Sequence, residues 1–578
     1  MESKLCTILM MMIIQSLLLS ILGGINKAAP KRLDLDSAIR RFSKAITFET
    51  VSMDPGVSNV TELNKFKNYL EKAYPLIHST PWIQRQIVGS LSIVYTIKPL
   101  REEKNDSTKK PWILQAHQDV APVFDLHKWD APPFSGQILY KPQSLHQILY
   151  DPRTNKGSKN FSTSDPDLKD YYVYGRGTMD SKHIIMAIME AVELMIGRGQ
   201  RPLHKTLILS FGHDEEVGGL YGGKKVAQML ENAYPYPTDG GKPIDFLLDE
   251  GFSIIKDILP QNMRIAPIGV SEKYVMNVNL SVVTAGGHSS VPTKENALII
   301  LSNALVNIDS NKFPSIFAHP GTPDIEILKR IAYLFPQPYK LQMENAALYR
   351  KALENITLDN EMIDAFTRTT ATATQAKGGI KYNVVPNYAE ANVNLRVLPL
   401  QDPDEVLKYV AQIINDQRVK VQLNTMSPRS PISDIDTIAF RKLEVIIEEF
   451  FNRTIVVPAI FNAGTDSKHF SRIVDNVYRF SPLRMNMDDI SRIHGINERT
   501  SVADFYNCVR FYYYLIEFVA EGLEDDTKVS KMAAKNVKTA SKEAAKNGKA
   551  ISKDAAKNVK AISKEANKKG KNIKPKKI

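Results

Sequence analysis

Between Leu33 and Val270 the chain alternates two hydrophobic patterns. "LDSAIRRFSKAITF" repeats its apolar residues at helical spacing, and "HIIMAIMEAVELMIGRG" reads as a helix that stops at glycine. "PWILQAHQDV", "KTLILSFGHDEE" and "PIDFLLDEG" are short apolar runs that each end in acids or histidine. Runs of this kind suit strands buried on both faces of a mostly parallel sheet, with the polar residues at their carboxyl ends. The expected fold class is therefore α/β, with chemistry at the strand ends.

The pattern changes near Glu272. "KYVMNVNLSVVTA" reads as a strand, "NALIILSNALVNI" as a helix, and "YNVVP" and "YAEANVNLRVLP" as strands. "PDEVLKYVAQIINDQ" follows as a helix and "VKVQLNT" as a last strand. This β-α-β-β-α-β order is that of an α+β ferredoxin-like sandwich. A largely helical insertion, residues 313–375, lies between its first helix and second strand. It contains the apolar "LKRIAYLFPQPY", which reads as core of that unit or as the lining of an apolar channel. The α/β pattern resumes around Ser427 and ends with "SVADFYNCVRFYYYLIEFVAEGL". The expected boundaries are 1–29 for an N-terminal segment, 30–271 and 426–525 for the two parts of the α/β unit, 272–425 for the inserted unit and 526–578 for a tail.

Charge changes the picture only in the tail. Residues 528–578 hold 17 Lys against Glu543, Asp554 and Glu565, a net of +14 in a chain whose total is +12, so the body is close to neutral. No nucleic-acid footprint is expected on the globular part. The tail repeats every 11 residues from Ala533, Ala544 and Ala555, with a degenerate fourth copy at Ala566. Eleven residues over three turns is about 3.67 per turn, close to a straight helix. The thin Ala/Val/Ile stripe opposite Lys suits either a solvated tail or a helix lying on an anionic lipid surface.

Residues 5–24 are apolar except for Thr7, Gln15, Ser16 and Ser20. They lie between a signal peptide and a spanning anchor in length, and either would send the body into the secretory route, secreted or lumen-facing. N-x-[ST] sequons at Asn59, Asn105, Asn160, Asn279, Asn355 and Asn452 are compatible with a glycoprotein. Cys6 falls in the apolar segment, which leaves Cys508 as a small core residue and no internal disulfide for the body.

The strand ends carry the candidate chemistry. "HQD" offers His117 and Asp119, and "GRGTMDSK" offers Asp180 between a glycine-rich turn and a helix start. "GHDEEVGG" offers Glu215 and Glu216, "LLDEG" offers Asp249 and Glu250, and the late "RIHGINE" offers His494. Taken singly, Asp180 is best read as a helix cap and His494 as a structural histidine. Taken together, several carboxylates at one sheet edge need a positive partner. Divalent ions supply one, mixed His/carboxylate ligation suits zinc, and one carboxylate can bridge two ions about 3.5–4 Å apart.

These motifs, with "GGHSSVP" and "NVVP", resemble the aminoacylase/carboxypeptidase S family of di-zinc exopeptidases and amidohydrolases, peptidase family M20, over about Leu33 to Leu523. The resemblance implies a zinc-exopeptidase-type catalytic domain with an inserted lid, two Zn2+ per chain and a possible homodimer through the lid. It implies His117 and Asp249 as terminal ligands of one zinc, Glu216 and His494 as those of the other, and Asp180 as the bridge. Glu215 is then the general base, Asp119 the partner behind His117, and His288 a lid histidine that reaches a neighbouring site and stabilises the oxyanion. Asn383, Arg396, Gly464 and Thr465 correspond to substrate-holding residues, the last two in a loop that meets the substrate carboxylate.

The N-terminal segment, the lid insertion and "WDAPPFSG" resemble the branch that makes and cleaves N-fatty-acyl amino acids, with vacuolar carboxypeptidase S as a neighbour. The expected activity is hydrolysis, and reversibly formation, of the amide bond of N-acyl amino acids. The alternatives are a metallocarboxypeptidase acting on peptides and a non-catalytic lipid- or surface-binding protein acting through the tail.

Overall fold

The computed structural model describes residues 34–520, apart from 102–108, 141–146, 155, 158–169, 203, 239, 292 and 358–360. The N-terminal segment, the Lys-rich repeats and the sequons at Asn105 and Asn160 lie outside the described residues.

The main sheet has 8 strands, in the order Thr454–Phe461, Arg264–Glu272, Val474–Met485, Ile244–Ile255, Trp112–His117, Leu207–Gly212, Ser92–Ile97 and Ile83–Val88. The three runs that end in acids or histidine are neighbours and run parallel. Gly212 is level with His117, and Leu248 with Leu114. Antiparallel pairs occur at Ile83–Val88 and Ser92–Ile97, and where Arg264–Glu272 meets Val474–Met485. The strands Trp112–His117 and Leu207–Gly212 are buried throughout, as continuous apolar runs require.

The helix Lys182–Gly197 is buried over almost all of its surface because the helices Leu35–Ile46 and Val502–Ala520 cover it. Its Glu190 is neutralised there by Arg41, at 2.6 and 2.7 Å, and takes a 2.9 Å bond from the Tyr74 hydroxyl. Cys508 lies fully buried in the same core. Among the described residues no helix is long and apolar enough to cross a membrane.

The inserted unit is a four-stranded antiparallel sheet, in the order Thr370–Gly378, Tyr388–Val397, Tyr274–Val283 and Val419–Met426. Residues of Tyr274–Val283 alternate between buried and half-buried, the period-two pattern of a sheet with one covered face. The helices Ala297–Ser310 and Pro403–Ile414 cover that face and close a core separate from that of the main sheet.

Two expectations change here. The second strand of the unit is Thr370–Gly378, at the edge of the stretch read as insertion. Val384–Val385 of "YNVVP" instead forms a short ribbon with Gly287–His288. The edge strand is exposed along most of its length, so "TATATQAKG" carries no apolar stripe to mark it as a strand. The stretch "LKRIAYLFPQPY" gives its apolar positions to a core: Ile331 and Leu334 are buried against Ile265, Ile455 and Val457 at the edge of the main sheet. The buried residues of the stretch take the first of the two readings, core.

Candidate metal centre

The parallel strands deliver their polar ends to one place. His117 is the last residue of Trp112–His117, Glu215 and Glu216 open the turn after Gly212, and Glu250 lies within Ile244–Ile255. Asp180 arrives just before the helix Lys182–Gly197, and His494 from the loop before Arg499–Ser501. The Asp180 carboxylate joins the two histidines: Oδ1 is 2.9 Å from His117 Nε2, and Oδ2 is 2.9 Å from His494 Nε2. Glu250 Oε2 is 3.2 Å from His117 Nε2, and Glu216 Oε2 is 3.0 Å from His494 Nε2. The result is two triads that share Asp180: His117, Asp180 and Glu250, and Asp180, Glu216 and His494. Within each triad the ligand atoms lie within 4.8 Å of one another.

The chemistry of these groups fits a pair of divalent ions. Each triad offers one imidazole and one private carboxylate around a shared carboxylate, a donor set of hard oxygen and borderline nitrogen. Glu216 Oε1, the other oxygen of its carboxylate, is buried with no hydrogen-bond partner among the described residues, an acceptor with nothing to accept from. The electrostatics agree. Burial opposes charge on His117, but Glu250, Asp119 and Asp180 outweigh it and raise the ring well above its ordinary value. His494 is pushed up to about 11 by its bonds to Asp180 and Glu216. The cluster thus stabilises positive charge at this spot.

Asp119 holds the arrangement from behind and is fully buried. Its carboxylate accepts from the backbone N–H of both Glu215, at 3.1 Å, and Glu216, at 3.2 Å. Its backbone oxygen lies 2.9 Å from His117 Nδ1, with the carboxylate at 3.4 Å. A proton on Nδ1 leaves Nε2 free to ligate. Burial, and then the Glu250 charge, raise the Glu215 carboxyl well above its ordinary value, opposed by His117 and Lys468. That direction suits a proton acceptor working near neutrality.

Residues 152–517 match Peptidase family M20/M25/M40. An N-fatty-acyl-amino acid synthase/hydrolase, PM20D1.1 of Danio rerio, is 32% identical over 83% of this chain and 85% of its own length. A probable carboxypeptidase S-like 2 protein of Dictyostelium discoideum is also 32% identical, over 83% of this chain and 84% of its own. The chain belongs to peptidase family M20/M25/M40. Its fold is that of the family: an M20 metallo-carboxypeptidase from Sulfolobus solfataricus superposes with a TM-score of 0.55 over 83% of this chain and 98% of that one, at 16% identity. Like its relatives, this M20 member is a hydrolase of amide or peptide bonds.

One ligand expectation is corrected. Successive residues of a strand face opposite ways, and Glu250 rather than Asp249 turns toward His117. Asp249 faces the neighbouring loop, where Oδ2 accepts from Ser467 N at 3.1 Å and Gln115 Nε2 at 3.4 Å, while Oδ1 accepts from Glu250 N at 2.9 Å. A register shift against Val474–Met485 follows Asp249.

The residues expected to serve from the inserted unit are not all brought to the cluster. His288 is exposed, with Nδ1 2.7 Å from Ser290 Oγ. Asn383 shares its corner, since Ser289 N donates to Asn383 O at 3.2 Å. Arg396 sits near the other end of the lid sheet, level with Val275. Tyr388, level with Val283, is eight residues away, about 27 Å at a strand's rise. Gly464 and Thr465 lie beside the centre, where the Thr465 N–H and Oγ1–H both donate to Glu272 Oε2, at 2.9 and 3.0 Å.

Pattern reading missed a buried brace. Arg176 and Glu498 are both fully buried and bond at 2.8 Å. Glu498 Oε1 accepts from the backbone N–H of Met179 at 2.7 Å and of Asp180 at 3.2 Å. Arg176 donates to His494 O at 2.8 Å and to Ala121 O and Pro122 O at 3.1 Å each. One ion pair therefore ties the backbones of Asp180, His494 and the residues after Asp119. "GRG" and "GINE" contain these two residues, but nothing in their spacing says that they meet.

Proposed function

We propose that this M20 hydrolase is a two-zinc enzyme that cleaves, and in reverse forms, the amide bond of N-acyl amino acids with a long apolar acyl chain. The observation that carries the metal chemistry is the pair of triads sharing Asp180; the substrate class rests on the N-fatty-acyl relatives. His117, Asp180 and Glu250 would hold one ion, and Asp180, Glu216 and His494 the other. Divalent ions, held there, would supply Lewis acidity and make water a better nucleophile at neutral pH. Glu215 accepts the proton of the attacking water, then returns it to the amide nitrogen as the C–N bond breaks. Water is thus divided between a carboxylic acid and an amine, and the reverse path uses the same groups. Asp119, by holding the N–H groups of Glu215 and Glu216, keeps base and ligand in fixed relation.

His288 would stabilise the oxyanion. Its place at the far corner of the lid sheet supports a homodimer in which the lid of one copy serves the site of another. The carboxypeptidase reading is favoured by one observation, the equal identity to a carboxypeptidase S-like relative. Turnover of N-oleoyl-phenylalanine against blocked dipeptides, each with and without a chelator, separates the two. Peptide cleavage without acyl-amino-acid cleavage would overturn the first reading. We further propose entry to the secretory route; Asn59, Asn355 and Asn452 are exposed, as glycan acceptors must be. Mass spectrometry of the mature N-terminus and of these asparagines tests this, and an intact Met1 with three bare sequons would refute it.

A further inference from the structure

Three short segments border the metal cluster, and each turns large apolar side chains to solvent. The first is the hairpin of Ser52–Asp54 and Val57–Ser58, closed by a 2.8 Å contact between the Ser52 and Ser58 hydroxyls. The second is the loop after Asp119, with Phe124 and Leu126. The third is the turn after Glu216, with Leu220 and Tyr221. Met53, Val57, Phe124, Leu126, Leu220 and Tyr221 are between 43 and 62% exposed. Single exposed apolar residues are ordinary. Six around one mouth make a surface for something apolar.

Hydrogen bonds fix these segments to the cluster. The Thr50 hydroxyl donates to Gln118 O at 2.7 Å, Val120 N to Thr50 O at 3.0 Å, and Ser52 N to Val120 O at 3.2 Å. The root of the hairpin therefore grips the chain on both sides of Asp119. Its first strand packs on the turn Glu215–Val217, which carries the proposed base and one proposed ligand. At the hairpin's tip Gly56 has a φ of +82°, and a Cβ there would stand 3.3 Å from Tyr221 Cε2, so the Tyr221 ring rests on the tip. Tyr221 N in turn donates to Asp214 Oδ2 at 2.7 Å. The loop with Phe124 is tied to the His494 loop, where Asp130 N donates to Asn497 Oδ1 at 2.6 Å. The rim is thus held by the same backbone that places Asp119, Glu216 and His494.

We propose that this rim carries the acyl chain of the substrate while the carbonyl lies at the metal centre. The inference rests on the reading given under Proposed function and assigns residues to its apolar half. An acyl chain is covalently tied to the carbonyl, and the cluster around that carbonyl is made of acids and histidines. The chain therefore has to leave across the border of the cluster. Ile331 and Leu334 of the inserted stretch are closed into a core, whereas the rim is open and adjacent. Burying a methylene fully is worth about fourfold in affinity, and a surface that covers one side of it about twofold.

The test measures kcat/KM for N-decanoyl- and N-acetyl-phenylalanine with the metal-loaded full chain. At about twofold per methylene the wild type should favour the decanoyl substrate by about 100-fold. In Met53→Gln with Leu220→Gln the decanoyl-to-acetyl ratio should fall by about 10-fold, the worth of roughly three methylenes so covered. Damage to the metals or to Glu215 acts on both substrates and cancels in the ratio. Val57→Thr, close in shape, gives a second reading should the double variant fail to fold, with a fall of about twofold. Leu100→Ser is the control and should keep the wild-type ratio. Leu100 is 58% exposed but follows Ile97, which is level with Leu207 at the end of the sheet away from Gly212. A wild type that prefers the long chain, with the ratio unchanged in the rim variants, overturns the inference alone. So does an equal fall in Leu100→Ser. So does conversion of a wild-type dimer to monomers in the rim variants with both substrates slowed alike, since the rim would then belong to a second copy. A wild type that treats both acyl lengths alike, or hydrolyses neither, overturns the long-chain reading and the inference with it.

Discussion

The Arg176–Glu498 pair offers the sharpest test of how the centre is held. Glu498→Gln keeps shape and removes charge. Glu498 uses one oxygen for two backbone N–H groups and the other for the Arg176 guanidinium. Whichever way the glutamine amide turns, its NH2 faces a donor, and a guanidinium is left in the interior without a counter-charge. Breaking a buried pair from one side costs about 3–5 kcal/mol. At about 2 °C per kcal/mol in a large domain, the melting temperature should fall by roughly 6–10 °C. The backbone of Asp180 would also lose an acceptor, and with it the fixed bridge between His117 and His494. A displacement on the order of 1 Å at such a residue costs about 100-fold in turnover. The assays are thermal unfolding and kcat/KM for an N-acyl amino acid. An apolar double variant, Arg176→Met with Glu498→Leu, should recover part of the stability and none of the activity, because the N–H groups of Met179 and Asp180 still lack an acceptor. A Glu498→Gln enzyme that melts with the wild type and keeps its kcat/KM would refute the brace.

Other outcomes follow from the same geometry. Glu250→Ala should lower the metal content of the purified protein, read by atomic spectroscopy, whereas Asp249→Ala should keep its metal and lose stability; the reverse result would restore Asp249 as the ligand. Glu215→Gln should bind metal as the wild type does while kcat falls by about 100-fold or more; near-normal turnover removes Glu215 as the base. Gly223→Ala would bring a methyl to 2.4 Å from Asp466 Cγ, a clash expected to cost about 1–3 kcal/mol in chemical denaturation; unchanged stability would show that the loop carrying Asp466 is free to move. Dialysis against a chelator should abolish activity and lower the melting temperature, and added zinc should restore both; full activity in a chelated sample containing no bound metal would exclude a metal-dependent reaction.

The strand ends were legible in the chain because their burial is continuous. "WILQAH" and "LILSFG" suit strands covered on both faces, which places the acids and histidine that terminate them at one edge. The inserted unit was legible wherever one face is covered, as in the alternation of Tyr274–Val283, and illegible in the exposed edge strand Thr370–Gly378. Two kinds of information were missing. One is orientation inside a motif: "DE" presents two carboxylates, and only the facing of the strand decides which one meets His117. The other is partnership across the chain: Arg176 and Glu498 are 322 residues apart, and neither stands in a local pattern that names the other.

The adjacent glutamates show how these two kinds of information combine. Glu215 and Glu216 repel each other, and sequence alone can say only that something must offset this. The structure adds that a third acid, Asp119, lies beneath them and takes both of their backbone N–H groups. A buried carboxylate that accepts two N–H bonds fixes the peptide planes of both residues. Fixing those planes sends one side chain to His494 and leaves the other free of any ligand contact. The separation of the proposed base from the proposed ligand is thus a backbone property set by Asp119. Asp119→Asn, which turns an NH2 toward one of those N–H groups, should therefore blur that separation and lower kcat even where His117 still holds metal.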